Sequence, residues 1–217
     1  MIHEMLAGDE IAPEDPDAVA GTGFLARNYY LFNRTTWLDS TIEHSGKAFL
    51  GLTLNCAKCH DHKYDPITHK DYYSFRAIFE PHQVRLDPVP GVTDLEQDGL
   101  PRVFDDDVTV KTWLHLRGDP ENPDQSAAVA PRVPHLFADF QPQIVPVSLP
   151  VTAFAPGLRD YVQRDHVNAA EARLAEAESD RDVAADKLAD VSAMPGTEPA
   201  QVEASDFLFV DDFDAKC

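Results

Sequence analysis

Prolines divide this chain. Between residues 84 and 156 they recur at Pro88, Pro90, Pro120, Pro123, Pro131, Pro134, Pro142, Pro146, Pro150 and Pro156. Each fixes φ and removes a backbone donor, which rules out a long helix or a central strand across them. The segment 84–156 is therefore expected to wrap over a surface in extended conformation. One stretch within it alternates. In VTVKTWLHLRG, Val108, Val110, Thr112, Leu114 and Leu116 fall on one side, with Lys111 and His115 on the other. That period of two predicts a short strand near 108–116.

Helix is left to the flanks. MIHEMLAGDE reads as the last turns of an amphipathic helix, followed by an acidic loop with prolines and a break at Gly21-Thr22-Gly23. The aromatic run FLARNYYLFNR, 24–34, is expected to pack on a core. Thr35 or Thr36 can cap a helix that starts near Trp37, with Trp37, Leu38, Ile42, Phe49 and Leu50 loosely on one face. Gly46 and Gly51 weaken that helix, which would run on into Cys56. Further on, Thr68 with Asp71 forms an acidic variant of a capping box, and Tyr72, Phe75 and Phe79 make an aromatic stripe that Pro81 ends.

From Gly157 to Val191 the chain is rich in Ala, Glu, Asp and Arg. A heptad frame runs through Val167, Ala170, Leu174, Ala177, Arg181, Ala184, Leu188 and Val191. A coiled coil, an antiparallel helical hairpin and a spacer helix all read this way. MPGTEP, 194–199, is a linker, and DFLFVDDF reads as the start of a further, truncated domain. The expected fold is mainly α, with irregular Pro-rich segments and one or two short strands. A helix–C-x-x-C-H loop–helix core precedes a long spacer helix. The expected divisions are 1–83, 84–156, 157–192 and 193–217.

At 217 residues the chain can bury a core of one or two domains. A net charge of −20, spread along the chain, would repel phosphate, so nucleic acid is not an expected partner. No run approaches the roughly 18 apolar residues of a membrane span. The first residues lack a basic and then apolar leader. Both ends read as cut from a longer protein, whose missing part would carry the export signal.

The densest chemistry lies in GLTLNCAKCHDHKYDP, 51–66. Two thiols three positions apart can each add across one vinyl group at a haem edge, and the next histidine can take the axial iron position. This spacing assigns Cys56, Cys59 and His60 to covalent haem c, with His60 as the iron ligand. Two other chemistries stay open. Cys56, Cys59 and His60 or His62 could hold zinc with a distant histidine, or Cys56 and Cys59 could form a disulfide. A sixth iron ligand is not obvious. Met1, Met5 and Met194 are poorly placed, which leaves His44, His62 and His82 as first candidates, with His69, His115 and His135 behind them. His44 could return over a haem only if the chain bends near Gly51. The loop residues His62, Lys63 and Asp65 could support the axial histidine or form a solvated turn.

The stretch GKAFLGLTLNCAKCHDHKYDPITHKDYYSFRAIFE resembles the central region of large planctomycete-type proteins, domain of unknown function 1549, which continue into domain of unknown function 1553. MLAGDEIAPEDPDAVAGTGFLARNY and the Arg-Gly-Asp and proline-rich LHLRGDPENPDQSAAVAPRVPHLF resemble the same proteins, so the resemblance spans about residues 1–156. It implies a periplasmic or secreted protein that binds haem through Cys56, Cys59 and His60, and no particular reaction. The expected partners are a redox protein or other domains of the parent chain. Electron transfer is the expected role. A non-catalytic extracellular scaffold or carbohydrate-binding protein, stapled at its Cys/His loop by a disulfide or metal, is the alternative. No Ser/His/Asp triad, phosphate loop or carboxylate pair indicates hydrolysis.

Overall fold

The computed structural model of the protein describes residues 1–29, 33–137, 140 and 145–193, leaving aside the side chain of Val191. The expected linker at 194–199 and the expected further domain, Cys217 included, lie outside the described residues. The chain divides into two compact units, Met1–His166 and Val167–Cys217.

The first unit begins with three short helices: α1, Ile2–Ile11; α2, Pro16–Gly21; and α3, Gly23–Ala26. Asp15 caps α2 by accepting from the Asp17 amide at 3.0 Å, and Pro16 opens the helix where its missing N–H costs nothing. Gly8 lies so close to the Ala18 carbonyl that no Cβ would fit, and α1 packs on α2 through that contact. The helix α4 covers Arg34–Ser45. Its cap is Asn33, whose side chain accepts from the Thr36 amide at 3.0 Å, rather than Thr35 or Thr36 themselves. The Asn side chain reaches the N3 amide, and the two threonines already belong to the first turn.

After Ser45 the chain widens into a π-turn, Gly46–Leu50, and stops at Gly51, whose φ of 66° reverses the backbone. The helix therefore does not run on into the cysteines. A 3-10 turn, Asn55–Lys58, follows instead. The helix α5, His69–Phe79, carries the capping box read from the sequence, and it ends just before Glu80 and Pro81. More of it is buried than the aromatic stripe predicted: Asp71 through Ala77 are all buried, polar residues included. The core around it is formed by Leu25, Trp37, Leu38, Ile42, Leu54, Ala57, Ile67, Tyr72, Tyr73 and Phe79. Full burial of Leu38 and Ile42 stabilises by about 1.5–3 kcal/mol each. Trp37 donates its indole N–H to the Leu25 carbonyl at 2.9 Å, so its polar atom is satisfied.

The Pro-rich region holds more strand than expected. Among the described residues four short strands form two antiparallel hairpins: β1, His82–Asp87, with β2, Leu100–Asp105; and β3, Thr112–His115, with β4, Pro123–Val129. In a two-stranded sheet every strand is an edge, so Pro101 opposite Leu86 and Pro123 opposite His115 are tolerated. A short helix α6, Leu95–Asp98, joins β1 to β2. The strand expected near 108–116 starts only at Thr112. Asp107 accepts from both the amide and hydroxyl of Thr109, at 2.8 and 2.6 Å, and holds Val108–Val110 in a turn. A bulge between Thr112 and Leu114 then breaks the alternation, so Thr112 and His115 are buried while Leu116 is exposed.

Two helices close the described chain: α7, Val151–Phe154, and α8, Asp160–Ala193. Arg159, just before α8, reaches the Asp87 carboxylate at 3.1 Å. In the second unit, the heptad positions Val167, Leu174 and Leu188 are exposed on α8. Among the described residues no helix is long and apolar enough to cross a membrane.

Candidate functional site

The cysteine stretch lies between α4 and α5. Local packing decides which of its side chains face outward. Leu54 and Ala57 point into the core and are 1 % and 0 % exposed. A 3-10 turn has three residues per turn, so with Leu54 and Ala57 inward its other positions turn to solvent. Cys56, Cys59 and His60 are all exposed, and both thiols are free. The disulfide reading is therefore not what the structure contains.

His60 Nδ1 lies 2.7 Å from the Asp61 carbonyl oxygen. A carbonyl can only accept, so Nδ1 is the donor of this contact, and in the neutral ring Nε2 then keeps its lone pair. That is the tautomer a metal-binding imidazole needs, held by a backbone partner. The rest of the loop is cross-braced. His62 Nδ1 accepts from the amides of Tyr64 and Asp65, at 3.3 and 2.9 Å. Asp61 Oδ1 accepts from the His69 amide at 2.7 Å. His62 thus serves a turn.

A polar cluster supports the loop from beneath; of its members the sequence pointed only to Tyr72, in the aromatic stripe, and to His115. Lys58 Nζ pairs with Asp39 of α4 at 2.7 Å. Tyr72 donates its hydroxyl to the same carboxylate at 2.7 Å, and Arg76 approaches it at 3.4 Å. Tyr73 donates to the Lys58 carbonyl at 3.2 Å. Burial, reinforced by Asp39, pushes both tyrosine pKa values up, so these phenols stay protonated donors. Burial also disfavours the Arg76 cation, but Glu80 and Asp39 outweigh it and raise its pKa. His115 stacks at 5.0 Å from Tyr73, with its Nδ1 unpartnered; burial and Arg76 lower its pKa. For Arg76 the hint in the sequence was the polar spacing inside α5, where it lies one turn from Tyr72.

The Arg-Gly-Asp stretch meets the cysteine stretch. Arg117 and Gly118 are both left-handed, with φ of 56° and 76°, in the β3–β4 turn. Gly118 presses against Cys59 Sγ and the Lys58 carbonyl.

The expected sixth ligands are dispersed. His82, at the start of β1, lines a separate cavity that Cys56, Cys59 and His60 do not line. His44 is half-buried at the end of α4, and Gly51 does supply the bend its return would need. His135 is bound to Asp71 at 2.5 Å. Among the described residues no three His, Cys, Asp or Glu side chains form a metal-binding group.

Neither the curated proteins nor the solved structures contain a match to this chain. The resemblance read from the motif is borne out over part of its length: residues 1–84, which include Cys56, Cys59 and His60, match the family described as PSCyt2, protein of unknown function (DUF1549).

Proposed function

We propose that this chain is a haem c-binding, electron-transfer segment of a larger exported protein. One observation carries the reading: two free, exposed thiols, one in the 3-10 turn and one capping its end, precede a histidine whose Nδ1 is held by a backbone carbonyl. The donor set fits the group that the motif implies. Cys56 and Cys59 would each add sulfur and hydrogen across one vinyl group, giving two thioethers with no loss of electrons. His60 would bind through Nε2, and Asp61 would hold its ring in place. A haem held here supplies reversible one-electron iron chemistry.

Lys58, Asp39, Tyr72 and Tyr73 would keep the attachment turn rigid, since each anchors it to α4 or α5. His62 is engaged in its turn and His82 lies in another cavity, so a further iron ligand would come from His44, a redox partner or another domain of the parent chain. Haem c is attached outside the cytoplasm, which makes the periplasm or the exterior the expected location.

The test is export of the full chain alongside haem-attachment machinery. The expected protein gains the mass of one haem and shows a Soret band that survives acid-acetone extraction. The Cys56→Ala/Cys59→Ala double variant gains neither. A folded chain with no added mass overturns the reading and leaves a non-catalytic scaffold.

A further inference from the structure

Away from the cysteines, residues of α1, α4, α5, β1 and β2 enclose a cavity of about 430 Å³. This falls in the range of roughly 300–1,000 Å³ common for small-molecule sites. Leu50, Phe75 and Phe79 supply apolar wall, and Asp9, Glu10 and Asp105 supply three carboxyl groups. No Lys or Arg is among the described residues that line it. The guanidinium groups of Arg102 and Arg34 lie near Asp9 and His82, but they bond to Asp87 and to backbone oxygens, that of Asp9 included. Arg102 pairs with Asp87 at 3.0 Å, and Arg34 donates to the backbone oxygens of His82 and Glu80.

Three polar atoms at this cavity lack a hydrogen-bond partner: Ser45 Oγ, His82 Nδ1 and Asp105 Oδ1. Ser45 is 2 % exposed. His82 Nε2 lies 3.4 Å from Asp105 Oδ1 without forming a hydrogen bond. Folded proteins pair nearly all buried polar atoms, so three unpaired ones around one cavity mark where a ligand belongs. All three can accept: the serine oxygen, whose hydroxyl can also donate, the carboxylate oxygen, and His82 Nδ1 in the tautomer that puts the ring proton on Nε2, toward Asp105. An alkylammonium has three donors and no acceptor. Burial raises the Asp9 pKa to about 6 and raises that of Asp105, while burial and Arg34 lower His82 to about 4. Asp9 is buried and Asp105 part-buried, neither carboxyl bonds a cation among the described residues, and a cation between them would relieve the cost of that burial.

We infer that this cavity binds a small organic amine, with its ammonium at Asp105, Asp9 and Ser45 and its apolar body against Phe75 and Phe79. A carboxylate ligand is repelled by the three acids. A neutral aromatic fills the volume but leaves the acceptors unpaired.

The test is calorimetric titration of the full chain near neutral pH with phenethylamine, phenethyl alcohol and phenylacetate. The amine is expected to bind saturably, with the alcohol at least about tenfold weaker and phenylacetate silent. Asp105→Asn is expected to weaken the amine by about tenfold with an unchanged circular dichroism spectrum, and the exposed Asp180→Asn to leave it unaltered. If Asp105→Asn fails to fold, Asp9→Asn makes the same test. Absence of saturable amine binding, equal binding of amine and alcohol, or full affinity in the folded carboxyl variant overturns the assignment. Binding of an arginine-containing peptide without phenethylamine overturns it too, and gives the cavity to a polypeptide.

Discussion

Gly118 lies against the sulfur of Cys59: a Cβ built on that glycine would sit 2.5 Å from Sγ. Its φ of 76° also lies where a side chain is strained. Gly118→Ala therefore meets two penalties at once, and is expected to cost about 2 kcal/mol or more. The denaturant midpoint measures it. With Cys56 and Cys217 replaced by serine, the rate at which Cys59 reacts with a thiol reagent should change as well. Unaltered stability together with an unaltered rate would contradict the contact.

Asp71 joins α5 to a distant segment. Burial alone would raise its carboxyl. Hydrogen bonds from the Thr68 hydroxyl and amide, and from the ring and amide of His135, outweigh that and hold it at about 2. A depressed carboxylate contributes stability above its unfolded value of 3.8, and this is lost as pH falls toward 2. Asp71→Ala should lower stability at neutral pH by about 2–3 kcal/mol, and the difference from the parent chain should fade through that acid window. Unfolding titrations at stepped pH decide the matter.

Asp87 is ringed by three guanidinium groups: Arg85 at 2.6 Å, Arg102 at 3.0 Å and Arg159 at 3.1 Å. Burial raises its pKa, but the arginines outweigh this and lower it. Arg102 is 1 % exposed and also donates to the Asp9 and Pro13 carbonyls. Removing the shared anion leaves buried cations unpaired, so Asp87→Ala is expected to cost about 3–5 kcal/mol. Arg85→Ala should cost less, because Arg85 is the most exposed of the three and its loss leaves two partners in place. Chemical denaturation of both variants gives the ranking, and the reverse order would refute it.

Asp9 carries the opposite sign. Its pKa rises from 3.8 to about 6, chiefly through burial. A raised carboxyl contributes stability that is complete below 3.8 and lost as pH climbs through about 6. Asp9→Asn should therefore stabilise the chain at neutral pH by about 2–3 kcal/mol, and have little effect below about pH 4. Thermal melts at the two pH values check it. A stabilised variant that binds amines poorly would fit a carboxyl kept for binding rather than for folding.

His60→Ala separates attachment from ligation. If the thiols carry the haem, the variant still gains its mass, while the spectrum loses the signature of a nitrogen axial ligand. Cys59→Ala should leave a single thioether and a weaker yield. Loss of all haem in His60→Ala, in a folded chain, would mean that attachment depends on more than the thiols.

What sequence alone determined is local. The Thr68–Asp71 cap, the stop before Pro81, the long helix up to Ala193 and the core face of Trp37, Leu38 and Ile42 are written within a turn or two of contiguous chain. The motif that matches the family is equally contiguous. The outward turn of Cys56 and Cys59 already needed more, because it depends on Leu54 and Ala57 finding a core. Only the tertiary structure decided the rest. Asp71 meets His135 across 64 positions, Arg102 meets Asp9 across 93, and the amine cavity draws on residues from Leu6 to Val133. Short edge strands with prolines carry no clean alternation, so the hairpins that make these meetings were hidden as well. Caps and periodicities act between neighbours along the chain and leave a pattern there. Charge pairing and cavity walls act between neighbours in space, and are fixed only when hydrophobic burial has brought distant segments together.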